Sequence, residues 1–138
     1  MPEEIKREVY AFFIITDPET ILTESNKFLA ERVVVTATDS EWDATQYLLY
    51  DYHFDVVLLD TKVGKHRGLD ILQHMRDDQR MKRFPVVMIV TENDNEIREK
   101  VKGLGVVDFI ARKGLTTKQM AEKIKEIFSK IESNNLVK

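Results

Sequence analysis

Residues 54–60, Phe-Asp-Val-Val-Leu-Leu-Asp (FDVVLLD), set four consecutive aliphatic residues between two carboxylates. Val56, Val57, Leu58 and Leu59 do not alternate with polar residues, so a strand built from them is buried on both faces. Strands of that kind belong inside a parallel sheet, and Asp60 then stands where the chain leaves the core. Four more runs of the same type flank this one: residues 9–15 (VYAFFII), 33–37 (VVVTA), 86–90 (VVMIV) and 106–111 (VVDFIA).

The segments between the runs carry helix signals. Asp17-Pro18 offers an N-cap followed by proline at the first helical position, where a missing N–H costs nothing. Ile21, Leu22, Phe28 and Leu29 then share a face. Ser40 opens the next helix, with Trp42, Thr45, Leu48, Leu49 and Tyr52 at three- and four-residue steps. Gly68 precedes Leu69, Leu72 and Met75. Asn93 and Glu96 have capping-box spacing ahead of Ile97, Val101 and Leu104, and Thr116 and Gln119 repeat the device before Met120, Ile124, Ile127, Phe128 and Ile131. Five strands alternating with five helices predict an α/β domain, doubly wound around a five-stranded parallel sheet with right-handed crossovers.

Composition agrees with one such domain. The chain has 138 residues, 43% apolar and 33% charged, an ordinary globular balance. Its longest apolar run, residues 9–15, is far short of the roughly 18 residues that span a bilayer, and the charged N-terminus (MPEEIKRE) lacks a secretory pattern. The absence of cysteine removes disulfides, thiol catalysis and cysteine-ligated metal. A net charge of −3 argues against nucleic acid as a general partner. A cytoplasmic location, with no membrane or nucleic-acid partner, is the expectation.

In doubly wound folds ligands and chemistry gather at the carboxyl ends of the strands. The first strand–helix turn, Ile15-Thr16-Asp17-Pro18-Glu19, has no glycine to let backbone N–H groups approach a phosphate, which disfavours nucleotides and flavins. His53, His66 and His74 have no metal-pair spacing, and no Gly-x-Ser-x-Gly elbow is present. What remains is a carboxylate (Asp60), a hydroxyl (Thr91) and an ammonium (Lys113), each following a different strand. Singly, each has an ordinary use as a turn former, a strand end or a solvated charge. Together at one sheet edge, they could accept a phosphoryl group, hydrogen-bond it and neutralise it.

FDVVLLD ending at Asp60, Gly68-Leu69 eight residues on, FPVVMIVT ending at Thr91, and Lys113-Gly114-Leu115-Thr116 before an amphipathic last helix form a recognisable set. In these motifs, and in the 22-residue interval from Thr91 to Lys113, the chain resembles the receiver domains of two-component response regulators over about residues 9–131. The resemblance implies a (βα)5 flavodoxin-like sandwich, a receiver domain over residues 1–132 and a short polar tail over 133–138. It further implies that a histidine kinase or phosphotransfer protein phosphorylates Asp60. Thr91 would then be the switch hydroxyl and Lys113 the phosphoryl-contacting base. A downstream target protein would read the face formed by the fourth helix, fifth strand and fifth helix, about residues 93–103, 106–111 and 116–131. Mg²⁺ is the implied cofactor, held by Asp17, Asp60 and the backbone carbonyl of Lys62. With so little chain after the last helix, the signal is expected to pass through another protein or a weak homodimer, the chain otherwise being monomeric.

The match departs from the family at three places. The family's two adjacent acids after the first strand are here Thr16-Asp17, and Asp17 also has the N-cap position. The loop after Asp60 is basic, with Lys62, Lys65, His66 and Arg67, so that Lys62 either stands in a solvated loop or partly replaces the cation. Lys113 precedes glycine where the family has proline, which predicts a trans bond. Anchoring the alignment on Asp108-Phe109-Ile110 makes Arg112 the basic residue instead of Lys113, and leaves the switch aromatic as Phe109 or absent with Ile110 in its place. These departures support a second reading: a pseudo-receiver that binds partners without phosphorylation, aided by the aromatic second helix (Trp42, Tyr47, Tyr50, Tyr52, then Phe54).

Overall fold

The computed structural model describes residues 7–50, 53–91 and 95–137, with backbone alone for 135–137. Strands β1 (Val9–Ile14), β2 (Val33–Thr38), β3 (Val56–Asp60), β6 (Val86–Val90) and β7 (Val106–Ala111) form one parallel sheet in the order β2-β1-β3-β6-β7. Growth of the sheet reverses between β1 and β3, which opens a crevice at their carboxyl ends. The doubly wound architecture expected from the alternating runs is the one observed.

Each face of the sheet has its own apolar core. On one, Ala11, Phe13, Ile15, Leu58, Val87, Ile89 and Ile110 pack under α1 (Pro18–Thr23), α2 (Ser25–Ala30) and α6 (Thr117–Val137), through Ile21, Phe28, Met120, Ile124 and Phe128. On the other, Phe12, Ile14, Val57, Leu59, Met88 and Val90 pack under α3 (Glu41–Tyr50), α4 (Gly68–Asp77) and α5 (Asn95–Lys100), through Ala44, Leu48, Leu72, Met75 and Ile97. Because the inner strands β1, β3 and β6 bury both parities, none of them could show alternation in sequence.

Several local details differ from the periodicity. The first helix is broken at Glu24 into α1 and α2. Ile21 and Phe28 are buried as expected, while Leu22 and Leu29 are exposed. The spacing puts Trp42 on the apolar face of α3, but it is 71% exposed, and Ala44 and Leu48 fill the core instead. The basic loop after Asp60 is a small antiparallel hairpin, β4 (Lys62–Val63) with β5 (His66–Arg67), anchored by buried Val63. The capping box of α6 forms as expected: the Gln119 amide N–H donates to Thr116 Oγ1 at 3.1 Å, and the Thr116 amide to Gln119 Oε1 at 2.9 Å. Helix α6 continues to Val137, through the segment assigned to a tail from 133. Asn93 and Tyr52 lie outside the described residues. No helix among those described is long and apolar enough to cross a membrane.

Candidate functional site

Side chains alternate along a strand, so residues two apart share a face. On the α1/α2/α6 face, the buried series ends in Ile15 after β1, Leu58 in β3, Ile89 in β6 and Ile110 in β7. Two residues further along each series stand Asp17, Asp60, Thr91 and Arg112. Asp17, Asp60 and Arg112 interact there, at one side of the sheet's carboxyl edge, and Thr91 continues the same parity just past β6. Lys113 has the opposite parity, continuing the series of Phe109 and Ala111.

Asp17 and Arg112 meet. Arg112 Nη1 donates to Asp17 Oδ1 at 2.9 Å and Nη2 to Oδ2 at 3.1 Å, a fork-to-fork ion pair between residues 95 apart in sequence. Nη2 also donates to Thr20 Oγ1 at 2.7 Å, and Thr20 Oγ1 lies 3.0 Å from Asp17 Oδ2. Burial alone would push the Asp17 carboxyl up. The hydrogen bonds from Arg112 and Thr20 outweigh it and hold the group below the ordinary carboxylate range. Asp17 occupies the N-cap position of α1, yet its carboxylate bonds to no amide of that helix, so the pair with Arg112 replaces the capping expected of it.

Asp60 is half-buried at the end of the central strand, with Ile89 as its Cα partner on β6. The Thr61 amide donates to Asp60 Oδ1 at 2.7 Å. Burial pushes this carboxyl above its usual range. Hydrogen bonding from the Thr61 and Lys62 backbone and the positive charge of Arg112 pull against that, while the charge of Asp17 adds to it. Asp60 is therefore a poorly solvated carboxylate flanked by an ion pair.

Gly68 opens α4 directly behind it. The Gly68 amide donates to the Thr61 carbonyl at 2.8 Å, and a Cβ at this position would lie 1.9 Å from the Asp60 carbonyl oxygen. Gly68 opens the helix as its position predicts, and its decisive property is this close approach.

Among the other residues singled out, Thr91 is exposed at the end of β6, next to the Asp60 strand. Lys113 is exposed and makes no ion pair with a described residue. Of the two neighbouring cations, Arg112 is the one that contacts Asp17 and Thr20. Gly114 follows at φ +85°, the left-handed region that glycine suits, and no cis peptide occurs among the described residues. The Lys62 side chain is exposed to solvent, and its backbone belongs to the β4–β5 hairpin. Phe109 is half-buried on the α5 side, where the Arg98 guanidinium lies 4.5 Å from its ring centroid, and Ile110 is buried on the opposite face.

Residues 12–125 match the family model for the response regulator receiver domain. The chain belongs to that family. The receiver domain is 28% identical, over 120 residues, to the chemotaxis protein CheY of Pseudomonas aeruginosa, covering 86% of this chain and 96% of that one. Its fold is that of the solved Vibrio cholerae chemotaxis protein CheY4, with a TM-score of 0.73 at 15% identity, covering 87% and 98% of the two chains. It is also that of the receiver domain of a sensor histidine kinase from Pseudomonas aeruginosa PAO1, described with a magnesium ion coordinated in its active-site cleft. That TM-score is 0.68 at 16% identity, with 89% and 98% covered.

Mg²⁺ binding is typical of receiver domains, but the donors here do not suit it as arranged. Mg²⁺ requires about six oxygens in near-octahedral geometry at roughly 2.0–2.1 Å. Both oxygens of Asp17 are already engaged by Arg112 and Thr20, and Thr16, a neutral residue, precedes it. Among the described residues, no group of three His, Asp or Glu side chains is placed to hold a metal. Asp60 is itself engaged by the Thr61 and Lys62 backbone.

Proposed function

We propose that this receiver domain accepts a phosphoryl group on Asp60 from a histidine kinase or phosphotransfer protein. Its reading face would be α5, β7 and α6. The observation that carries the reading is the half-buried Asp60 carboxylate between the ends of β1 and β6, under the field of Arg112.

In the transfer, an Asp60 carboxylate oxygen forms a bond to phosphorus as the bond to the donor nitrogen breaks. The electron pair of that bond returns to the donor's imidazole nitrogen. Attack by a carboxylate needs its ionised form, which burial disfavours and the Arg112 charge favours. Arg112 uses three of its five N–H groups on Asp17 and Thr20, leaving Nε and one Nη1 hydrogen for phosphoryl oxygens. Thr91, on the same parity one strand over, is the hydroxyl for a third oxygen. Lys113 is the remaining nearby cation of the strand-end set, exposed and reachable by a partner. Phe109 under Arg98 lies on the proposed reading face, where a shift of α5 would alter its burial.

The test is incubation with acetyl phosphate, with and without Mg²⁺, followed by intact mass. The parent protein gains one phosphoryl and Asp60→Asn none. No gain by the parent, together with no response to beryllofluoride, overturns the reading.

The phosphorylation-independent alternative draws on one observation, the exposed aromatic side of α3 formed by Trp42, Tyr47 and Tyr50. It predicts partner binding that survives Asp60→Asn and fails in Trp42→Ala/Tyr50→Ala.

A further inference from the structure

We propose that Arg112 is the resident cation of this receiver's acceptor site: it takes the place of a divalent metal at Asp17 and keeps metal out. The inference deepens the phosphoryl-acceptor reading and rests on it for its meaning in signalling.

Three observations carry it. First, the contact is built. Arg112 crosses from the end of β7 to the far side of β3, where Asp17 follows β1, and three hydrogen bonds of 2.7–3.1 Å fix its guanidinium there. With side chains only 27% and 33% exposed, the pair is not a loose surface contact. Second, the charge balances differently from a metal site. Asp17 and Asp60 supply two negative charges and Arg112 returns one, so the cluster keeps a net charge of about −1 without any ion. Thr16 removes the further acid that would restore demand for a divalent cation. Third, the oxygens a metal would use are occupied. A metal must break a bidentate ion pair before it reaches Asp17, a cost absent where that carboxylate is free. Residual affinity would then rest on Asp60 and backbone oxygen alone.

Lysine would not serve equally. A guanidinium spans both carboxylate oxygens and reaches Thr20 while retaining free N–H groups, whereas an ammonium is a point donor. The consequence is an acceptor site whose positive charge is covalently attached and cannot be chelated away.

The experiment is Mn²⁺ titration of the ¹⁵N-labelled protein, followed by paramagnetic broadening of the Thr61 and Lys62 amides, with Mg²⁺ competition. In the parent these amides broaden no more than surface amides remote from the site. Arg112→Ala frees Asp17 and binds Mn²⁺ at least tenfold more tightly, reversibly with Mg²⁺. Arg112→Ala/Asp17→Asn loses the gain. The amide spectrum reports whether each variant is folded. If Arg112→Ala is not, Arg112→Lys must show a partial gain in its place. Equal affinity in parent and variant, or no gain in any folded Arg112 variant, overturns the inference. No phosphoryl donor is involved, so a protein that never gains a phosphoryl on Asp60 refutes the acceptor reading while this titration stands or falls separately.

Discussion

Gly68 and Asp60 are in backbone contact: a methyl group on the Gly68 Cα would stand 1.9 Å from the Asp60 carbonyl oxygen and 3.0 Å from its carbonyl carbon. The start of α4 is therefore pressed against the residue proposed to take the phosphoryl group. Any side chain at 68 must push either the helix or the acceptor strand. Because the obstructing atoms are backbone, no rotamer change can relieve the overlap. Gly68→Ala is expected to cost about 1–3 kcal/mol, the usual penalty of overpacking, despite alanine's better helix propensity. Urea denaturation monitored by far-UV circular dichroism checks it, and a variant as stable as the parent contradicts the packing.

Asp60→Asn is expected to stabilise the fold at neutral pH. Burial raises the Asp60 pKa in the native state, so the native state binds this proton more tightly than the unfolded chain. The contribution from protonated Asp60 is complete below the ordinary carboxylate range, about pH 4. It is lost as pH rises through the elevated native value. Asparagine carries no such loss, so the advantage of the variant should appear across that window and stay constant above it. Denaturation midpoints of both proteins measured from acid to neutral pH decide the matter, and a less stable Asp60→Asn at pH 7 would contradict it.

Arg76 is a different kind of arginine. Among the described residues its guanidinium bonds to carbonyls, donating to Leu104 O at 2.6 Å, Lys82 O at 2.9 Å, Phe84 O at 3.2 Å and Gly105 O at 3.3 Å. Burial lowers its pKa below the ordinary arginine value. These bonds tie α4 to the segments entering β6 and β7. Arg76→Ala should destabilise by about 2–3 kcal/mol by stranding part-buried carbonyls, and Arg76→Lys should recover only part, since an ammonium cannot span them. Thermal unfolding of the three proteins is the measurement.

On α3, Trp42 and Leu48 should behave oppositely. Trp42 is 71% exposed and Leu48 is 1% exposed within the core under β1 and β3. Trp42→Ala is expected to change stability by less than about 0.5 kcal/mol, whereas Leu48→Ala should cost about 2–5 kcal/mol. Chemical denaturation tests the contrast. Solvent quenching of the single tryptophan should also be close to that of a free indole.

Much of this architecture is written along the chain. Uninterrupted apolar runs such as Val56–Leu59 require burial on two sides, and that requirement implies a parallel sheet covered by helices. Asp60 and Thr91 follow because each terminates such a run. The Thr116–Gln119 capping box is also local, closing through side chains three residues apart. The break at Glu24, the exposure of Trp42 and the hairpin after Asp60 were not readable, because packing between distant segments decides them.

The basic residue of the site shows where local information ends. Arg112 and Lys113 are neighbours with the same charge, and the resemblance to receiver domains favours Lys113. The β6–β7 pairing settles which one reaches Asp17. Val86 pairs with Val106 but Val87 with Asp108, so one extra residue is accommodated in β7. A one-residue slip reverses the face of every later side chain, turning Ile110 into the α6-side core and Arg112 with it toward the acids. The amino-acid sequence by itself specified a doubly wound domain with an acid at its central strand end. Strand pairing between residues about 20 apart, which no local pattern encodes, chose the cation that faces that edge.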